Sequence, residues 1–175
     1  MRDILFTLIS LFVAGNVLTE WRNRKTLPWQ TTPLSGYLAD VPWAIVQDIG
    51  FFALATALLI IGHTFTAAGI SFFVGGIALV MVVVTRYYIA FAGATPADNA
   101  IVERGHILSA GIAYTGAILG VLMTTWHTGG LANGAALAAV AVAFLVNRFV
   151  PGNTKLEEAS VAGCLMVSLY AMVLA

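Results

Sequence analysis

Charge is scarce in this 175-residue sequence: Asp, Glu, Lys and Arg together make up 9% of it, against about 25% in an ordinary soluble domain. That scarcity excludes a normally solvated globular surface. The charges that remain cancel, eight basic residues against eight acidic ones. The chain therefore offers no basic field for nucleic acid and no acidic tail for cationic partners. Cysteine is scarcer still. Cys164 stands alone, which excludes an intrachain disulfide and any multi-cysteine metal site, and its apolar setting reads as an inert buried thiol. No lysine lies inside a long apolar run, so a retinal-type Schiff base is excluded. Gly-x-Ser-x-Gly, HExxH and P-loop patterns are all missing, and no cofactor is implied.

What fills the sequence instead is apolar: 60% hydrophobic residues and a mean hydropathy of +0.94. About 20 apolar residues cross the hydrocarbon of a bilayer as a helix. Six segments qualify, at residues 4–21, 42–62, 69–92, 105–126, 131–150 and 158–175, the first and last at the short end. The runs are continuous rather than alternating, so helices are expected and barrel strands are not. The expected fold is an all-α bundle of six transmembrane helices forming one domain. The first segment could pass for a cleaved leader, but Arg22, Arg24 and Lys25 just after it form the wrong flank, so a retained span is expected.

Basic residues set the orientation. Arg22, Arg24, Lys25, Arg86, Arg104, Arg148 and Lys155 all fall on one side of such a bundle, and Arg2 alone on the other. Both termini should then lie outside a cytoplasmic (inner) membrane, with the three long loops in the cytoplasm. The longest central polar interruption runs from Arg86 to His106. Within it, Thr95-Pro96-Ala97-Asp98 is built like a capping box with proline at the first helical position, so the fourth helix should start near Pro96. Thr154-Lys155-Leu156-Glu157 is a second such box, opening the sixth helix after Pro151-Gly152. Thr32-Pro33 could open a short interfacial helix reaching Asp40, with Trp29, Tyr37 and Trp43 at headgroup depth as an aromatic belt. Gly75-Gly76 and other glycines read as points of close helix packing.

Few residues are left to carry chemistry. Asp48 follows Pro42 by six positions, roughly 9 Å along the second helix. A carboxylate there is costly in lipid and should face the bundle interior. Its natural partner is Arg86, at the same end of the third helix, and the plainest role for the two is an ion pair that fixes helix register. Glu103 and His106 are three apart on the fourth helix. With Asp98 and Arg104 they could join Asp48 and Arg86 in a polar cluster at the cytoplasmic mouth, able to bind a lipid headgroup or relay protons. The plainer alternative is a solvated helix start with a snorkelling arginine. His63 and His127 both end spans on the outer side, but with only Asp3 as a third candidate ligand no metal site is expected. Asn16 and Asn147, inside spans, are explained by hydrogen bonds between helices.

Three short elements resemble an uncharacterised family of multi-pass prokaryotic membrane proteins, catalogued as a domain of unknown function (DUF nine-nine-eight). Pro33-Leu34-Ser35 resembles its Pro-Ile-Ser element, with leucine for isoleucine. Thr95-Pro96-Ala97-Asp98 resembles its Phe-Pro-x-Asp, with threonine for the aromatic. Gly105-His106-Ile107 resembles its Gly-x-x-His or Gly-Ile-His start. The resemblance covers about the middle half of the chain and implies a helical membrane fold without implying a reaction. Three functions are therefore expected in turn. The first is an integral membrane protein that binds a lipid or small apolar ligand near Asp48, Arg86 and His106, as a homo-oligomer or an accessory subunit of a larger complex. The second is a small proton-coupled transporter in which Asp48 titrates. The third is an intramembrane lipid-modifying hydrolase using His106 with Asp98 or Glu103.

Overall fold

The computed structural model describes residues 1–24, 43–63, 66–91, 96–127, 130–149 and 154–175, with the side chains at 89–91, 96–99, 147 and 154–155 outside the description. The expected interfacial helix, Trp29, Tyr37 and Pro33-Leu34-Ser35 fall outside the described residues, and so does Thr95. Described throughout are six helices: α1 (Arg2–Asn23), α2 (Ala44–Ile61), α3 (Ala67–Phe91), α4 (Pro96–Thr125), α5 (Gly130–Phe149) and α6 (Thr154–Leu174). Five of them contain stretches long and apolar enough to cross a membrane. The exception is α5, whose described apolar stretch, Gly130–Val146, is shorter.

Local signals account for the ends. Asp3 sits in the first turn of α1 and Arg22 in its last, each matched to the sign of the helix dipole. At the start of α3, the Thr66 hydroxyl accepts from the Gly69 amide at 3.1 Å, an N-cap that begins this helix two residues ahead of the apolar run. Pro96 does open α4, as its fixed φ and missing N–H favour. Before α2, Trp43 holds a left-handed φ of 68°, a costly conformation for a side chain of that size. Its carbonyl is secured by the Thr19 hydroxyl of α1 at 3.1 Å.

Lipid as solvent explains the sidedness. Phe51, Leu54, Leu58, Phe72, Val82 and Val121 fill the interior, while Ile45, Ile49, Phe52, Phe73, Ile77 and Phe144 point outward. An apolar outside of this extent suits a hydrocarbon surrounding. Several hydroxyls within the spans are satisfied locally: Thr56, Thr85, Thr124 and Thr125 each donate to the carbonyl four residues back at 2.8 Å.

Hydrophobic drive between helices is weak in lipid, so close approach must come from small residues. A Cβ on Gly15 would meet the Val46 carbonyl oxygen at 2.7 Å, and one on Gly50 would meet Phe12 Cα at 3.1 Å, so these two glycines make the α1–α2 crossing. Gly75 and Gly116 do the same for α3 and α4, the most extensive contact in the bundle. The first four helices pack in chain order, and the α5–α6 hairpin joins them through α4 and, more lightly, through an α1–α6 contact. That light contact leaves a groove.

Candidate functional site

Two arrangements gather in the half of the bundle where α1, α3 and α5 end and α2, α4 and α6 begin. The first is built around Asp48. It lies on the buried face of α2 with Ala44, Gln47 and Phe51, and the guanidinium of Arg86 on α3 reaches it, Nη1 to Oδ1 at 2.9 Å. Both side chains are almost fully enclosed, at 2% and 4% exposed. The expected partnership of the two is therefore present. It is an electrostatic contact through one nitrogen and one oxygen, without hydrogen-bond alignment, rather than a two-pronged clamp. The other carboxylate oxygen, Oδ2, accepts from the Tyr87 hydroxyl at 2.8 Å. Glu158 of α6 brings a second carboxylate into electrostatic range of Arg86 and accepts from the Tyr114 hydroxyl of α4 at 3.3 Å. The Arg86 guanidinium of α3 thus contacts α2 directly, with the Glu158–Tyr114 link between α6 and α4 nearby.

The other residues of the expected cluster go elsewhere. His106 is buried, but its Nδ1 turns to α3, 3.0 Å from the Thr85 hydroxyl and 3.2 Å from the Val82 carbonyl. Glu103 and Arg104 are exposed on α4. Glu103 and His106, three apart on α4, differ in surroundings: His106 is buried against α3 and Glu103 is exposed. The side chain of Asp98 lies outside the described residues. Among the described residues, then, Asp48 and Arg86 are the pair in direct contact, and no group of three or more His, Cys, Asp or Glu side chains could hold a metal ion.

The second arrangement is the groove between α1 and α6, a cleft of about 780 Å³. Its walls are mostly apolar: Phe12, Val13 and Val17 of α1 face Met166 and Val167 of α6. Ala159, Ala162 and Gly163 on α6 leave it wide, and a Cβ added at Gly163 would touch nothing within 4 Å. At one end the Ser10 and Tyr170 hydroxyls lie 2.8 Å apart and the Phe6 and Tyr170 rings pack at a tilt with centroids 5.0 Å apart. The other end carries Glu20, Trp21 and Arg24. A single buried polar side chain, Asn16, lies along it, donating to the Phe12 carbonyl at 2.9 Å and accepting from Gln47 at 2.9 Å. Asn16 therefore makes the interhelical bond its position implied, and it ties the groove wall to the residue next to Asp48.

Sequence reading missed Tyr87, Tyr114 and Glu158, and it missed the groove altogether. The α6 pattern of alanine and glycine opposite an α1 polar residue was the available signal. No protein-family model, curated protein or solved structure matches this chain.

Proposed function

We propose that this chain is a six-span integral membrane protein that binds a membrane lipid, its acyl chain lying in the α1–α6 groove. The groove itself carries the reading. It is an apolar trench of about 780 Å³ with a charged and aromatic end, within the size range of small-molecule sites. Its α1 wall runs from Phe12 to Arg24, twelve steps or ~18 Å at 1.5 Å per residue. One leaflet of hydrocarbon is about 15 Å deep, so the trench matches a lipid that enters from one face and reaches the bilayer middle. The proposed topology puts α5 across the membrane as the sixth span and both termini outside a cytoplasmic membrane, in keeping with the one-sided basic residues. Membership of the DUF nine-nine-eight family belongs to the same proposal and adds nothing about chemistry. Lipid alone is enough to cover the outward apolar faces, so a second copy or a larger complex is a secondary reading.

Native mass spectrometry of the gently extracted protein tests this. Wild type should retain one lipid that Gly163→Trp, which fills the groove, releases. Equal retention by both forms would sink the groove as the site.

The burial of Asp48 favours a second reading, a small proton-coupled carrier. In it, Asp48→Asn abolishes proton-driven uptake into proteoliposomes while the fold is kept, and unchanged uptake removes it. The hydrolase has less behind it, because Glu103, one of its candidate acid–base groups, is exposed while His106 is buried.

A further inference from the structure

The groove has a defined depth. On α1 the residues lining it begin at Phe12, and on α6 they end at Tyr170. At that level the two helices are tied together. The single O–H of Ser10 donates to the Phe6 carbonyl at 2.8 Å, so the 2.8 Å bond between the two hydroxyls has Tyr170 as donor and Ser10 as acceptor. The Phe6 ring packs against the Tyr170 ring, 54° from parallel with centroids 5.0 Å apart. Tyr170 is thus held at its hydroxyl and at its ring. Swinging it aside would strip a hydroxyl of its partner in hydrocarbon, where no water replaces it.

We propose that Tyr170 is the floor of the lipid site and sets the length of acyl chain that the groove accepts. This rests on the lipid-binding reading above and names the chain-length class of the lipid. Two lengths carry it. Trp21 marks the headgroup level at which tryptophan collects, and Ser10 lies eleven steps from it along α1, ~16.5 Å at 1.5 Å per residue. The α6 lining from Ala159 to Tyr170 covers the same rise. An extended chain advances ~1.2 Å per bond, so a lauroyl chain reaches ~13 Å, a palmitoyl chain ~18 Å and an arachidoyl chain ~23 Å. Groove and bilayer are equally apolar, so burial alone gives no preference among them. Contact does. A lauroyl chain leaves the lower trench unfilled and forfeits the dispersion attraction of its walls. An arachidoyl chain overruns the floor by ~6 Å, more than one helical turn, and has to displace Tyr170 or fold back. A palmitoyl chain fills the trench with a slight bend.

The test is competition between chain lengths. The purified full-length chain is offered equal amounts of dilauroyl, dipalmitoyl and diarachidoyl phosphatidylcholine, and bound lipid is counted by native mass spectrometry. Wild type should retain the dipalmitoyl lipid over the diarachidoyl one by about tenfold, since forcing extra methylenes against packed groups carries a cost of that order. Tyr170→Ala, which removes the floor, should move the preference to diarachidoyl. Val13→Trp, which raises the floor by filling the trench just above Phe12, should move it to dilauroyl. Tyr170→Phe keeps the ring and should keep the preference. A purely structural role for Tyr170 would lower retention of all three lipids together, and that result overturns the proposal. So does equal retention of the three lengths by wild type, or a wild-type preference that survives in Val13→Trp, which decides the matter even if Tyr170→Ala does not fold. If Gly163→Trp still expels lipid while wild type shows no length preference, the groove stands and the floor falls. Lipid absent from every form, or retained by Gly163→Trp, removes both.

Discussion

At the scale of single residues, the cost of burying Asp48 and Arg86 is what the surrounding structure has to offset. Two charges enclosed to this degree are stable only together, and removing one leaves the other uncompensated at a cost of about 3–5 kcal/mol. Asp48→Ala and Arg86→Ala should each destabilise by that much in reversible detergent unfolding. The double variant Asp48→Leu/Arg86→Met should lose less than either single change. Because the contact runs through one nitrogen, Arg86→Lys should keep most of the stability, which a two-pronged pair would not allow. The same titration checks all four variants. Asp48 and Arg86 were legible because a charge in a long apolar run has few ordinary explanations. Glu158 was not, since it lies where the sixth apolar run begins and a solvated helix start accounts for it there. Tyr87 and Tyr114 hide for a different reason: tyrosine is ordinary in an apolar helix, and only the fold puts one beside Asp48 and the other beside Glu158. His106 and Glu103 were grouped by spacing alone, which says nothing of how deeply each side chain is buried.

At the scale of helices, glycines set how closely the elements approach. A methyl group on Gly116 would lie 2.8 Å from the Ser71 carbonyl oxygen and 3.1 Å from Gly75 Cα, against backbone that cannot swing aside. Gly116→Ala should therefore cost about 1–3 kcal/mol, the usual range for overpacking. Gly134→Ala in α5, where nothing lies within 4 Å of the added Cβ, should gain up to about 1 kcal/mol from helix propensity. Opposite signs for two glycine-to-alanine changes in the same unfolding assay are the check, and a loss at both would mean that the α3–α4 crossing is not special. Existence and order of all six helices could be read from apolar run length, and the start of α4 from Pro96. The start of α3 could not, because its cap at Thr66 lies ahead of the apolar residues. Nor could pairing across the bundle, since run length says nothing about which helix packs loosely on which.

At the scale of the whole molecule, the proposed topology and the groove are linked: a lipid can enter the groove past Trp21 only if that end of α1 lies at a membrane face. In a Cys164→Ser background, cysteines placed at His63 and His127 should react with an impermeant maleimide from one side, and a cysteine at Arg104 from the other. Labelling of all three from one side would break the six-span arrangement. The groove joins helices at opposite ends of the chain, so only tertiary structure reveals it. Its occupation by lipid is tested most directly by photo-crosslinking a phospholipid that carries a diazirine on its acyl chain, with the labelled residues mapped by peptide mass spectrometry. The result expected is labelling concentrated on Val13, Val17, Met166 and Val167 and lost on adding excess unlabelled lipid. Labelling spread evenly over outward residues such as Phe73 and Phe144, and indifferent to competitor, would contradict a lipid site between α1 and α6.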